Sequence, residues 1–473
     1  MDAPKINFVI IKEENASLLH RIWEGARQSF REFLKVPTFI IVGFLVVCVC
    51  ANIIDHERIV SLKSLSDFLK STIFNDPKAT SALMGSIATS IITVTSLSVT
   101  LLLIVVQQSA STMSTEVFDQ FLRSRHNQTY FGFFVGLSLY SLIVLATVSD
   151  NFNPVFSASL AMVFIGVALF LLIILIYTTI NDMRPVSIIN SIYDLTLKAR
   201  KKQMLFVRRT RREAIYEGPC KVSIQIKEHG YITHINFDRI YAEIKKAKAE
   251  VEVVLKVSIG EYVIFKDEIA FVTSENEADG KTVGNIVCKS ISVDVNNDIG
   301  SDPFGGIVEM ETIGWTSIST AKSNPAPGLI TIRTLCNLLI RWSYMDDTPG
   351  KNIYPIVYKD NVVPRLMDSF TTLMVAASES MQHQNFIEIL HAFTNAYNRL
   401  SSENKLRAED IILRLLSAMG DFVLTAPLEA ELNKLIKILN NAGSFDTAEA
   451  VEKATKKLKE TVGKLNSRGT RAR

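Results

Sequence analysis

The sequence predicts an α-helical membrane domain of four transmembrane helices, followed by a cytoplasmic α+β region with a small β-rich domain and a C-terminal helical domain. Three observations lead there. The 473-residue chain is 48% hydrophobic, and four long apolar segments hold much of that share before Met183. Beyond Met183 charged residues are spread throughout, and the apolar pattern takes first the period of strands and then that of helices. Between the two regimes, Pro185–Arg212 carries eight basic residues against a single acid, Asp194. That imbalance marks a segment leaving a bilayer on its cytoplasmic side.

Residues 1–36 are mixed and charged, with no early apolar run to serve as a cleavable signal. Within them, Ser17–Leu34 places Leu19, Ile22, Trp23, Ala26, Phe30 and Phe33 on one side of a helix. The pattern suits a helix lying in the membrane surface, and equally one packed on the protein itself. The membrane domain at 37–182 follows, with apolar segments at about Pro37–Ile54, Leu83–Val106, Tyr130–Val148 and Val155–Ile180. Crossing a hydrocarbon core of about 30 Å takes roughly 20 helical residues, so all four are long enough. Lys5, Lys12, Arg21, Arg27, Arg31 and Lys35 precede the first span, Arg123 and Arg125 separate the second and third, and the basic stretch follows the fourth. Both termini are therefore expected in the cytoplasm.

The second span carries the chain's most unusual pattern. Ser86, Thr89, Thr93, Ser96 and Thr100 recur at steps of three and four, and Gln107 continues the same face. Hydroxyls in a lipid-spanning helix are expected to meet another helix or a water-filled path. The third span opens with Gly132 and Gly136, a spacing that lets two helices approach closely. Arg123, Arg125 and His126 stand at the expected inner mouth of spans two and three. No Lys, Arg, Glu or His lies inside any span, which argues against proton-coupled transport.

A basic juxtamembrane helix is expected at 183–220, its cations near Lys198–Arg212 facing anionic headgroups or simply fixing topology. Strands are expected over Lys221–Ile226, Tyr231–Ile235, Val251–Ser258, Tyr262–Val272 and Val283–Val293, with a short helix at Phe237–Ala249. These form the small β-rich domain at 221–325, which ends in the Asn, Asp, Gly and Pro-rich linker Asn296–Gly306. The helical domain at 326–466 reads as six helices, near 328–344, 363–381, 385–400, 406–425, 428–442 and 446–465. Residues 467–473 read as a disordered tail.

Chemistry has little foothold. The five cysteines have no zinc or disulfide spacing, so neither a metal nor another cofactor is expected. Asp55-His56-Glu57 lies outside the first span, but three consecutive residues rarely reach one ion. His383 and His391 lack a paired carboxylate motif, and Asp346-Asp347 reads as a turn. No nucleophile elbow, P-loop or zincin pattern is present. The net charge of +3 gives no case for nucleic acid. An enzyme is not expected.

Met84–Gly136, containing ITVTSLSVTLLLIVVQQSASTMSTEVFDQFLRSRHNQTYFGFFVG, resembles the signature region of a widespread bacterial family of predicted inner-membrane proteins of unknown function. That family also has a Gly-Tyr-Val-x-x-Ile strand and a Gly-Asp-x-Val-x-x-Gly turn. Gly230-Tyr231-Ile232-Thr233-His234-Ile235 and Gly260-Glu261-Tyr262-Val263 are similar, with Lys266 where the turn closes on glycine. Thr178-Thr179 stand where members often carry two histidines, and Ser343–Asp347 resembles a Ser-x-x-Asn-Asp turn. The resemblance implies a multi-pass protein of the bacterial inner membrane and a β-rich domain similar to the barrel-sandwich hairpins of lipoyl and biotinyl carriers. A helix replaces the hairpin that bears the modified lysine, so no swinging arm is implied. Two functions remain open: a homo-oligomeric channel-like pore lined by the hydroxyl face, or a membrane-anchored scaffold or sensor whose cytoplasmic domain binds a partner.

Overall fold

A computed structural model describes residues 6–9, 34–57, 74, 76–110, 125–150, 152–182, 184–247, 249–295, 299–300, 302–319, 324–343, 353–419 and 423–461. The chain divides into two compact units, Glu13–Arg184 and a second made of Met1–Lys12 with Pro185–Arg473. The surface helix expected over Ser17–Leu34 lies outside the described residues except for Leu34, and the tail from 467 lies wholly outside them.

Among the described residues of Glu13–Arg184, four helices are long and apolar enough to cross a membrane. They are α1 (Lys35–Glu57), α2 (Pro77–Ala110), α3 (Arg125–Thr147) and α4 (Val155–Asp182). α1 packs on α3, and α2 packs on α3 and α4. The centre is aromatic: the Phe44 ring lies 5.2 Å from both Phe133 and Phe164, and Tyr140 lies 5.8 Å from Phe164. Edge-on packing of this kind adds to the burial of large apolar area. The outward side chains, among them Phe39, Val49, Phe170 and Ile173, are exposed and apolar. That is the surface a lipid solvent selects.

At the far end of α1, Asp55 caps the start of α4. Its carboxylate accepts hydrogen bonds from the Phe156 and Ser157 backbone N–H groups, at 2.9 and 3.0 Å, and from the Ser157 hydroxyl at 2.7 Å. A carboxylate at a helix start satisfies otherwise orphaned donors. Tyr140 completes the corner by donating to the Ser157 carbonyl.

The second unit begins with β1 (Ile6–Val9), which the sequence pattern did not indicate. After the four membrane helices come α5 (Pro185–Val207), β2 (Cys220–Gln225), β3 (Gly230–Ile235), α6 (Phe237–Ile244), β4 (Val251–Leu255), β5 (Tyr262–Val263) and β6 (Glu268–Ser274). They are followed by α7 (Glu277–Ser290), β7 (Ile291–Asp294), α8 (Pro303–Ile318), α9 (Ala326–Ser343) and β8 (Ile356–Val357). The helices α10 (Val362–Glu379), α11 (His383–Ala396), α12 (Ser402–Ala418), α13 (Ala426–Ala442) and α14 (Phe445–Thr461) complete it. One sheet has the order β1-β2-β6-β4-β8 and the other β5-β3-β7. β1 lies parallel to β2 and β8 parallel to β4, while the other pairings are antiparallel. Val222, Ile224, Val253, Val272, Ile232 and Ile356 share one buried core.

Three expectations change here. The β-rich part consists of two sheets with helices, and it recruits residues 6–9 and 356–357 from outside 221–325. Val283–Val293 is mostly helix α7, not strand. Asn276 caps it through the Asp279 N–H, and Gly280 and Gly284 let it approach Ser274, Val222 and Ile224 of the sheet. The expected linker Asn296–Gly306 ends in the first turn of α8, where the Asp302 carboxylate accepts from the Phe304 and Gly305 N–H groups. Gly306 takes no side chain because the Thr196 hydroxyl of α5 fills its space.

Candidate functional site

The two faces of α2 differ in what covers them. Met84, Ile87, Ala88, Ile91, Val94 and Ser98 are buried, and they lie along one side of the helix. Ser86, Thr89, Thr93, Ser96, Thr100 and Gln107 lie on the opposite side and are all exposed. The hydroxyl stripe therefore does not bind α2 to its own bundle.

Nor are the hydroxyls idle. Ser86 donates to the Ala82 carbonyl at 3.0 Å, Thr89 to Gly85 at 2.9 Å, Thr93 to Thr89 at 2.9 Å and Thr100 to Ser96 at 3.0 Å. This back-bonding meets the demand for a donor's partner without water or a second helix. Each oxygen still offers a lone pair outward.

Gly132 and Gly136 lie against α1. A Cβ at Gly132 would stand 2.8 Å from Pro37 Cα, and one at Gly136 would stand 2.5 Å from Phe44 Cδ2. At the other features proposed for the inner mouth, Arg123 lies outside the described residues, Arg125 opens α3, and His126 is exposed in its first turn. Asn127 and Gln128 beside it are buried.

The basic stretch is divided by the fold. Arg200 is buried, pairs with Asp360 at 2.6 Å, bonds Gln203 and stands over the Trp342 ring. Arg211 pairs with the buried Glu252 at 2.6 Å, and Arg209 lies 3.6 Å from Asp238. These three arginines of the Lys198–Arg212 stretch are engaged by carboxylates of the unit itself. Lys198, Lys201 and Lys202 remain exposed.

The scattered polar candidates resolve into structural contacts. Asp55 is the cap of α4. His391 Nδ1 lies 3.1 Å from Glu431, and its Nε2 lies 2.8 Å from the Asn395 amide. Burial pushes the His383 pKa down. Burial also raises the Cys288 thiol, and takes Cys336 up to about 11, so neither is an activated nucleophile at neutral pH. Among the described residues no three His, Cys, Asp or Glu side chains are placed to hold a metal. Asp346 and Asp347 lie outside the described residues.

One feature escaped the sequence pattern altogether. Glu409 of α12 gathers hydroxyls from Tyr397, Ser444 and Thr447, joining three segments of the helical part. Nothing in local spacing signals such a cluster, because its members are far apart in the chain.

Comparison with curated proteins and with solved structures gives no match. A family model does match: residues 31–372 align with the family described as "Predicted membrane protein (DUF2254)". That stretch contains all four apolar helices, the stripe on α2 and both sheets except β1, and the chain belongs to this family of membrane proteins of unknown function.

Proposed function

We propose that the chain is the subunit of a homo-oligomeric, channel-like pore whose wall is the hydroxyl face of α2. The observation carrying this reading is the direction and length of the stripe. From Ser86 to Gln107 it runs roughly 31 Å along the helix, comparable to the hydrocarbon core of about 30 Å. It points away from every helix packed on α2. Four helices are too few to enclose a path in one subunit, so a ring of copies supplies the remaining wall. Hydroxyl dipoles without fixed charge favour small ions or water with modest selectivity. Arg123, Arg125 and His126 at the inner end bias the pore towards anions.

A second reading draws on the back-bonded hydroxyls. A stripe in which four of the five hydroxyls satisfy their own donors serves as a close-packing face between copies of a membrane-anchored scaffold or sensor, and the cytoplasmic unit then binds a partner. Neither reading calls on covalent chemistry. In both, the protein resides in the bacterial inner membrane with its two termini in the cytoplasm. The basic flanks support that orientation, as does the pairing of β1, before the first span, with β2, after the fourth.

Replacing Thr93 and Ser96 together with Leu separates the readings. In liposomes the pore reading expects chloride or potassium flux to fall at least about tenfold, with assembly unchanged. Loss of assembly before any loss of flux favours the packing face. Unchanged flux with unchanged assembly removes α2 from both.

A further inference from the structure

The fold sorts the cations of α5 into two sets. The arginine Arg200 faces inward with Ile189, Ile192, Thr196, Ala199, Gln203 and Met204. Its planar, bidentate fork suits a buried carboxylate. Lys198, Lys201 and Lys202 face the opposite way, are exposed, and make no ion pair among the described residues. The same outward face carries one exposed apolar side chain, Leu205 at 61%. One acid, Asp194, shares it. Exposed lysines without an ion pair, set beside the exposed Leu205 on one side of a helix, suit an interfacial segment, in which long stems lie on apolar surface and ammonium groups meet headgroups.

We propose that this face of α5 is a docking surface for anionic lipid headgroups of the membrane the chain spans. Two features of the chain select that occupant over a soluble acidic partner. Only two residues separate α4 from α5, so the helix that carries the face starts within one turn of the last apolar span and needs no recruitment to the membrane. Its cations are compact, hydrated ammonium groups, which attract a diffuse anionic surface without requiring a bidentate geometry. Each cation near such a surface strengthens attachment by about fivefold. The lysines stand roughly 20–25 Å along the helix from Pro185, so lipid contact requires α5 to lie along the surface. The inference stands independently of the pore reading.

Lysine acylation of the full-length protein in nanodiscs tests it. The rate at each lysine is followed by peptide mass spectrometry in phosphatidylcholine alone and in a mixture containing phosphatidylglycerol. Lys198, Lys201 and Lys202 are expected to react at least about threefold more slowly in the anionic discs, with the protection fading at high salt. Lys246 and Lys281 lie elsewhere on the same unit and should be unaffected. Equal rates in the two discs overturn the proposal. Equal protection in both lipids also overturns it, because another protein surface then covers the face. Protection by inorganic phosphate in phosphatidylcholine discs overturns the lipid assignment in favour of a soluble anion. The variant with all three lysines changed to Gln gives a second readout. Slowed hydrogen exchange along α5 in anionic discs is expected for the native chain and lost in the variant; persistence in the variant sinks the proposal.

Discussion

Lys266 stands in backbone made for glycine. Its φ is +69°, and the turn around it is closed by the Asp267 N–H bonding the Ile264 carbonyl and the Lys266 N–H bonding the Ile226 carbonyl. A side chain in this left-handed region costs on the order of 1–2 kcal/mol, of which glycine gives back part through its greater freedom when unfolded. Lys266→Gly should therefore stabilise the protein by about 0.5–1 kcal/mol, whereas Lys266→Ala should give no such gain. Denaturant unfolding in detergent measures the difference, and equal stability of the Gly and Ala variants would refute the account. The departure from the family's turn motif was visible in the sequence, where Glu261 and Lys266 are the two residues that differ from a short pattern. Its cost was not visible until the φ angle was known. The same limit applies to Gly132 and Gly136: their spacing announces close approach, but Pro37 and Phe44 as the groups approached are properties of the packed bundle.

At the scale of elements, the periodic segments were the legible ones. The four spans and the helices from α9 to α14 lie close to their expected positions because each has a continuous apolar stripe. α7 and α8 were missed for a common reason. Gly280, Gly284, Gly305 and Gly306 read as turn residues, yet all four are buried in helices, three of them where a side chain would clash with a neighbouring element. The stripe on α2 was legible as a period, but which side the bundle buries was not. The staple around Glu409 depends wholly on tertiary structure, and its chemistry predicts a pH response. Burial works to raise the Glu409 pKa, but hydrogen bonds from Tyr397, Ser444 and Thr447 prevail and hold it below the ordinary value of 4.5. A depressed carboxylate stabilises the fold fully above the unfolded pKa, and this contribution is lost as pH falls through the folded value. Thermal unfolding should thus show a smaller acid-induced loss, between pH 6 and pH 3, in Glu409→Gln than in the native protein. Identical slopes would show that the cluster contributes nothing through ionisation. Glu409→Ala should cost about 1–3 kcal/mol at neutral pH, because it leaves three partly buried hydroxyls without their acceptor.

For the whole molecule, the decisive constraint is which parts of the chain share a sheet. β1 precedes all four membrane helices and β2 follows them, yet Ile6 pairs with Lys221 and Val9 with Ile224 in one parallel ladder. Backbone hydrogen bonds cannot form across a bilayer, so the proposed topology has to leave both strands in one aqueous compartment. An even number of crossings is then required, and four apolar helices satisfy it. The pairing does not name the compartment; the basic residues before the first span and after the fourth support the proposed cytoplasmic side. The expectation is that protease-cleavable tags placed at the two termini of the full-length protein are cut together in inside-out membrane vesicles and protected together in right-side-out ones. Cleavage on opposite sides would break both the sheet pairing and the four-span topology. Removing residues 1–9 separates the strand pairing from the charge bias. Lys5 is the only cation lost against Asp2, so the charge bias is nearly preserved while β2 loses its neighbour. If charge alone sets the topology, the truncated chain keeps its orientation. Its unpaired β2 edge should then exchange amide hydrogens faster over Lys221–Ile224 than in the native chain, because those strand groups have become an open edge.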